Sequence, residues 1–383
     1  MHSNPVLDSL GSHPIAAIQQ GVRDARRAGR EVIDFSIGDP VEPTWEPIRE
    51  AMRDNVPVVS QYPTSRGLPE LREAIAAYVG RRFGVEVDPA NQILPTSGAK
   101  EAIFSSPLAF VDRSRGDLVG VPDPGYPIYA RGARLAGAET VTVEADERFL
   151  VTADSVPAGA WDSLVMLWVC TPSNPTGTVT PLEELERLVA ECRTAGTILC
   201  SDECYVDLYA DDEPPAPSVL QAAGPGSAGV LSYLSLSKRS GMTGYRSGAI
   251  VGDPEAIEAL YRLRTSTGTA SPEPIQWAAV TAWSDDAHVA DRRAIFGEKR
   301  RILTAGLTEM GYRVVGSRAG IYLWVEVADD VAVTESLANV GVVVTPGRVF
   351  GHRGEGFIRL ALVPDIDACH RALEVMRPAL ASG

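Results

Sequence analysis

Covalent work by a side-chain amine has three places to happen in this chain, because among its 35 basic residues only Lys100, Lys238 and Lys299 are lysines. Lys238 has the most suggestive surroundings, Ser235-Leu-Ser-Lys-Arg-Ser-Gly-Met-Thr-Gly-Tyr-Arg246, behind an apolar run that reads as a strand. An amine there can form an imine with an aldehyde. The neighbouring hydroxyls and backbone N–H groups can hold a phosphate, and Arg246, eight residues on, can grip it bidentately. The segment therefore suits a phosphorylated aldehyde cofactor. Read alone, it is equally a polar surface turn.

Two further segments place chemistry at strand ends. Asn174, in Cys-Thr-Pro-Ser-Asn-Pro-Thr-Gly177, follows the apolar run Leu164–Cys170, and Asp202, in Leu199-Cys-Ser-Asp-Glu-Cys-Tyr205, ends the next run. Ligands of open α/β sheets bind beyond the carboxyl ends of the strands. An aspartate there can pair with a pyridine nitrogen, while Asn174 and Tyr205 can hydrogen-bond a ring oxygen and tune its acidity. Singly, each has a plainer reading: Asn-Pro is a common turn, and Asp before Glu is a common helix cap. Jointly, three strand-end segments in this order are hard to explain otherwise. By contrast, Gly224-Pro-Gly-Ser-Ala-Gly229 fits the dinucleotide pattern G-x-G-x-x-G but has a proline inside it and a β-like run after it, so it reads as a loop. There is no P-loop, nucleophile elbow or H-E-x-x-H zinc motif, and the five histidines are scattered without a triad or a metal-binding cluster.

The elements that must position these residues read as an α/β alternation. Helical spacing follows Pro69 from Leu68 to Phe83. Helix-like and β-rich segments then alternate: Lys100–Val111, Asp117–Val121, Ile128–Leu135, Thr140–Val143, Leu164–Cys170, Pro181–Thr194, Thr197–Ser201, Val230–Leu236 and Ser247–Val251. That pattern predicts a mainly parallel sheet with helices on its faces. An earlier short strand and loop span Asp34–Pro43. Helices are expected over 254–264, 274–283 and 288–310, and strands over 312–315, 320–327, 342–345 and 356–361, with further helices over 333–340 and 365–380, which makes a small α+β domain. At 383 residues the chain has room for two cores, and the expected division is an N-terminal arm with part of the small domain (1–45), a large domain (46–280) and a C-terminal small domain (281–383).

Composition narrows the function classes. A net charge of −15 disfavours nucleic acid or an anionic membrane as partner, since both need a basic footprint. No apolar run approaches the length of a membrane span, and Met1–Gly11 has no secretory pattern, so the cytoplasm is the expected location. The five cysteines form no C-x-x-C pair and read as reduced and mostly buried, without a disulfide framework or structural zinc.

With those residues in view, the chain resembles the fold-type I pyridoxal-phosphate aminotransferases of class I/II along nearly its whole length. The resemblance implies a large domain with a mainly parallel seven-stranded sheet, plus the small α+β domain. It implies that Lys238 carries the cofactor as a Schiff base and then shuttles the proton, that Asp202 pairs with the pyridinium, and that Asn174 and Tyr205 contact the ring hydroxyl oxygen. Ser235, Ser237 and Arg246 would bind the phosphate, together with the helix-opening turn Ser97-Gly98-Ala99-Lys100, whose N–H groups would face it. Tyr126, in Asp-Pro-Gly-Tyr-Pro127, would stack on the ring as part of the catalytic set. Tyr62 would reach the phosphate of a neighbouring subunit, which implies a homodimer. Arg359, in Phe-Ile-Arg-Leu-Ala361, would clamp the substrate α-carboxylate, with Gly38 adding a backbone contact; read alone, Arg359 is a strand arginine in a surface pair.

Within that group the likeness points to the succinyldiaminopimelate aminotransferases of lysine biosynthesis, through Phe35–Pro40, Tyr62–Arg72, Ser201–Tyr205, Leu236–Ser240, Arg246–Gly248, Ala279–Trp283, Asp285–Val289 and Ala319–Trp324. The implied reaction exchanges an amino group between N-succinyl-LL-2,6-diaminopimelate and glutamate or 2-oxoglutarate, both small molecules. Asp123–Tyr126, Gly241–Tyr245, Arg264–Gly268 and Pro346–Phe350 depart from that subgroup, several of them where a substrate side chain is expected. A diverged aminotransferase for another amino acid or a secondary-metabolite intermediate therefore stays open, as does a lyase or decarboxylase of the same fold. A regulator built on this scaffold would carry a DNA-binding domain before it, and the roughly thirty residues before the first strand are too few for one.

Overall fold

The apolar run Leu164–Cys170 is buried along nearly its whole length, and successive residues face opposite cores. Leu167 and Val169 join one hydrophobic cluster, while Met166 and Trp168 join another on the other side. A strand covered on both faces belongs in the middle of a sheet whose crossovers are helical. The computed structural model describes residues 4–10, 14–210 and 212–380, and it places this run in the interior of a seven-stranded sheet. Residues 1–3 and 11 of the Met1–Gly11 stretch, and two of the five histidines, His2 and His13, lie outside the described residues.

In chain order the strands are β1 (Ile33–Asp34), β2 (Ile93–Thr96), β3 (Leu118–Asp123), β4 (Glu139–Glu144), β5 (Leu164–Cys170), β6 (Ile198–Asp202), β7 (Val230–Ser235) and β8 (Gly248–Gly252). Then follow β9 (Val314–Val315), β10 (Tyr322–Glu326), β11 (Val342–Val343), β12 (Thr345–Pro346) and β13 (Phe357–Ala361). The large sheet has the order β2-β8-β7-β6-β5-β3-β4. Only β8 runs against the rest, pairing antiparallel with both β2 and β7. The parallel strands β5, β6 and β7 therefore end at one edge, in register at Cys170, Asp202 and Tyr233.

A smaller antiparallel sheet, β12-β13-β10-β9, lies on a third core that includes Leu323, Leu360, Leu303 and Met376. Phe35 is buried in the same core, and β1 pairs in parallel with β11. The start of the described chain is thus tied to its last quarter, and residues 35–45 cross the mouth between the two sheets.

Several expectations need correction. Strand β2 was not anticipated, because Ile-Leu-Pro-Thr is short and carries a proline; it sits at the sheet edge, where Pro95 removes no needed donor. The helix expected over 100–111 is two helices, Ala99–Ser105 and Pro107–Phe110, since Pro107 cannot continue the first and opens the second. The strand expected from Asp34 onward is only β1, after which the chain leaves the sheet as a strap. Gly224–Gly229 forms the turn between the helix Val219–Ala223 and β7, as expected of a loop.

Candidate active site

The three parallel strand ends form the floor of a cavity of about 390 Å³. At the end of β7 the Ser235 side chain accepts the backbone N–H of Ser237 at 3.2 Å, capping the short helix Leu236–Arg239. Lys238 is placed on that turn and lines the cavity. Burial holds its amine well below the usual lysine range, at about 8, with Arg246 and Arg292 adding to the shift and Asp39 opposing it. The amine donates to the backbone carbonyl oxygen of Gly38.

Asp202 lies on the floor beside it, almost fully buried. Its Oδ2 accepts the Tyr129 hydroxyl at 2.7 Å and its Oδ1 accepts the Cys204 N–H at 3.2 Å. Burial raises its pKa, and the hydrogen bonds from Cys204 and Tyr129 offset part of that rise. Tyr129 is itself fixed, its ring stacked on Trp168 at 5.0 Å and edge-on to Tyr126 at 5.8 Å. Tyr126 and Cys204 both face the cavity, from the loop after β3 and the turn after β6 respectively.

At one end of the cavity Arg246 adopts φ 57° and donates to the Thr243 carbonyl at 2.9 Å. Gly98 lies against it at φ 89°, where an added Cβ would come within 2.5 Å of the guanidinium, so that close approach requires glycine. Ala99, Lys100, Ser235 and Ser237 line the same end. Lys100 is pushed below the usual lysine range by burial and by Arg246 and Arg131.

At the other end Arg359, brought in by β13, is almost fully buried. It donates to the Asn174 side-chain oxygen at 2.8 Å and to the Ser36 carbonyl at 2.6 Å, and its guanidinium sits 4.3 Å from the centre of the Tyr322 ring. Its Nε is buried without a partner. The hydroxyls of Tyr322 and Tyr205 lie 2.9 Å apart. The surface-pair reading of Arg359 is therefore excluded.

Every residue expected at the site lines this one cavity except Gly98, which lies against Arg246, and Tyr62. Tyr62 is wholly exposed on the segment between two helices, Glu46–Asp54 and Pro69–Phe83. Sequence reasoning missed Tyr129, Tyr322 and Cys204, and also Ile15, Ala16, Gln19 and Ile37, which close the mouth. Tyr129 follows Tyr126 by one helical step, a signal available in the sequence; the mouth residues have no such signal. Cys170 and Cys204 are only partly buried, the other three cysteines fully, and all are free thiols. Among the described residues no group of three or more His, Cys, Asp or Glu is placed to hold a metal, and no helix is long and apolar enough to cross a membrane.

Residues 30–376 match the family model for aminotransferases of class I and II. The chain belongs to that family. Like its other members, this aminotransferase depends on pyridoxal 5′-phosphate, and the cavity fits that group: a buried amine, a buried strand-end carboxylate, and an arginine cradled by a glycine stand around one space. The aminotransferase is 36% identical to the LL-diaminopimelate aminotransferase 2 of Trichormus variabilis over 97% of each chain. Among solved structures, an aminotransferase from Neisseria meningitidis superposes with TM-score 0.90 at 31% identity, over 99% of each chain. A probable N-succinyldiaminopimelate aminotransferase from Thermus thermophilus gives TM-score 0.88 at 30% identity, over 95% of this chain and 99% of that one.

Proposed function

We propose that this aminotransferase acts on a dicarboxylic diamino acid of the diaminopimelate type, with glutamate and 2-oxoglutarate as the second pair. The observation that carries this reading is the charge of the cavity: Lys100, Lys238, Arg246 and Arg359 face it against the single carboxylate of Asp202. In a chain of net charge −15 such a concentration of cations selects anionic ligands, namely a phosphate and two carboxylates. The mouth supplies an apolar wall, Ile15, Ala16 and Ile37, for a methylene chain, with Gln19 beside it for a polar end. The full-length similarity to the Trichormus protein supports LL-diaminopimelate itself. The Thermus structure and the sequence segments around Lys238 and Tyr322 support the N-succinyl form as a second reading.

The cofactor, when bound, supplies an electron sink that acidifies the substrate Cα–H. The remaining work falls to the chain. Lys238, poised near neutrality, would take the proton from the substrate Cα and deliver it to the cofactor's aldehyde carbon, two atoms away. Asp202, held by Tyr129, would pair with the ring nitrogen. Tyr126 would cover the ring, and Asn174 and Tyr205 would hydrogen-bond its hydroxyl oxygen. Ser235, Ser237, Arg246 and the turn Gly98–Lys100 hold the phosphate. Arg359 and the Gly38 backbone hold the α-carboxylate. Exposed Tyr62 reaches the phosphate of a second copy, which makes the active unit a homodimer.

Half-reactions test this directly, with LL-diaminopimelate, its N-succinyl derivative, glutamate and aspartate each mixed with the loaded enzyme. The expected outcome is conversion to the amine form by one diaminopimelate compound and by glutamate, with release of a 2-oxo acid and ping-pong kinetics. Failure of glutamate and both diaminopimelates would leave the diverged reading; release of carbon dioxide, or of ammonia without conversion to the amine form, would favour a lyase or decarboxylase.

A further inference from the structure

The strap of residues 38–45 carries Gly38 across the cavity mouth, yet no strand holds it. Its hold comes from one face of the long helix Ala287–Glu309, where His288, Arg292 and Lys299 lie four and seven residues apart and so point the same way. The ring of Trp45 stacks on His288 at 5.0 Å with the planes 3° apart. Arg292 donates to the carbonyls of Pro43 and Lys238, at 3.3 Å each. Lys299, 1% exposed, donates to the Glu42 carboxylate and to the carbonyls of Leu362 and Val363. The Thr44 hydroxyl adds a bond of 2.6 Å to the Gly241 carbonyl, in the loop after Lys238.

This set is incomplete in one respect. The second carboxylate oxygen of Glu42 and one terminal nitrogen of Arg292 are both buried and both lack partners. They belong to opposite charges near enough for Glu42 to offset part of the burial penalty on Arg292. A buried unpaired charge-bearing atom is costly, and Arg292 already holds the carbonyl of Pro43, the residue after Glu42, so a small shift of the strap can bring the two together.

We propose that Glu42 is a positioning residue for the substrate carboxylate: tied to Lys299, and next in the chain to the Pro43 carbonyl that Arg292 holds, it sets how far the strap, and with it Gly38, descends toward Arg359. Binding of a carboxylate between Gly38 and Arg359 draws the strap inward and brings the free Glu42 oxygen onto the free Arg292 nitrogen. Glu42 touches neither substrate nor cofactor; it acts through the backbone four residues before it. The inference rests on the reading that Arg359 and Gly38 hold the substrate carboxylate.

The experiment uses the loaded enzyme, with glutamate as substrate and glutarate as a dicarboxylate that cannot react. For Glu42→Gln, which keeps the shape and removes the charge, KM for glutamate and Kd for glutarate each rise roughly tenfold, as expected for loss of a charge-assisted contact. kcat changes by less than about threefold and cofactor content stays near that of the parent, while the thermal midpoint falls because buried Lys299 loses its counter-charge. Unchanged KM and Kd overturn the proposal. So does a joint fall of kcat, cofactor content and thermal midpoint, which marks a merely structural role. If Glu42→Gln does not accumulate as folded protein, Arg292→Lys decides, since it leaves the Glu42–Lys299 pair and withdraws the second donor: raised KM with retained cofactor supports the proposal, unchanged KM overturns it. Arg359→Gln separates the two layers. Raised KM there without a rise for Glu42→Gln defeats only the strap; no rise in either defeats the carboxylate reading as well.

Discussion

The floor and the mouth of the cavity are built in opposite ways. The floor is made of parallel strand ends, where Lys238, Asp202 and Asn174 each stand within a few residues of a strand that is buried on both faces. The mouth is gathered from the helix Pro14–Arg27, the strap and two strands of the small sheet, which join the first and last parts of the chain. The floor is thereby fixed by the sheet ladder, while the mouth depends on side-chain ties such as Glu42–Lys299 and Arg359–Ser36. Such a division suits a family that keeps one chemistry and changes its substrates: reacting groups need a rigid support, recognition groups need freedom to vary and to move.

Changes at the floor should abolish chemistry, and the largest effect is expected at Lys238. Lys238→Ala should lower amino transfer by roughly 10³-fold or more, the scale of a lost general base together with a lost covalent anchor, and should remove the visible absorption of the lysine-bound cofactor. Asp202→Asn should come next, with kcat down roughly a hundredfold and KM little changed, because the ring nitrogen loses its anionic partner while the mouth stays intact. Stopped-flow half-reactions read both. Equal losses in KM would erase the contrast between floor and mouth.

Changes at the mouth should instead appear in binding. Arg359→Lys keeps a charge but loses the planar fork, so KM for glutamate should rise roughly ten- to a hundredfold with a smaller change in kcat.

The same contrast explains what was legible beforehand. Lys238, Asp202 and Asn174 could be read because their chemistry and their strands are adjacent in sequence, so one segment carries both the group and its support. Arg359 became readable only through resemblance, since an arginine inside Phe-Ile-Arg-Leu-Ala says nothing by itself of Asn174, 185 residues away, to which it is bonded. Ile15, Gln19 and Glu42 were illegible for the same reason: each acts through a partner that only the fold brings near. Strand β2 was missed because proline hides an edge strand.

Two smaller effects sharpen the account of the floor. The Lys238 pKa of about 8 lies below the usual lysine value, and the reacting species is the neutral amine. Reloading of cofactor-free protein should therefore speed up about tenfold per unit as pH rises toward 8 and level off above it, as followed by visible absorption. A rate still climbing at pH 10 would mean an ordinary exposed lysine. Tyr129→Phe removes one donor from Asp202 and keeps its stacking on Trp168, so kcat should fall only a few-fold to about tenfold, with no change in KM.

The claim on which the rest depends is that Lys238, alone of the three lysines, carries the cofactor. Reducing the loaded protein with borohydride and mapping the labelled peptide by mass spectrometry tests it most directly. A single pyridoxyl adduct on the peptide containing Lys238 is the expected result; a stable adduct on Lys100 or Lys299, with Lys238 unmodified, would contradict that assignment.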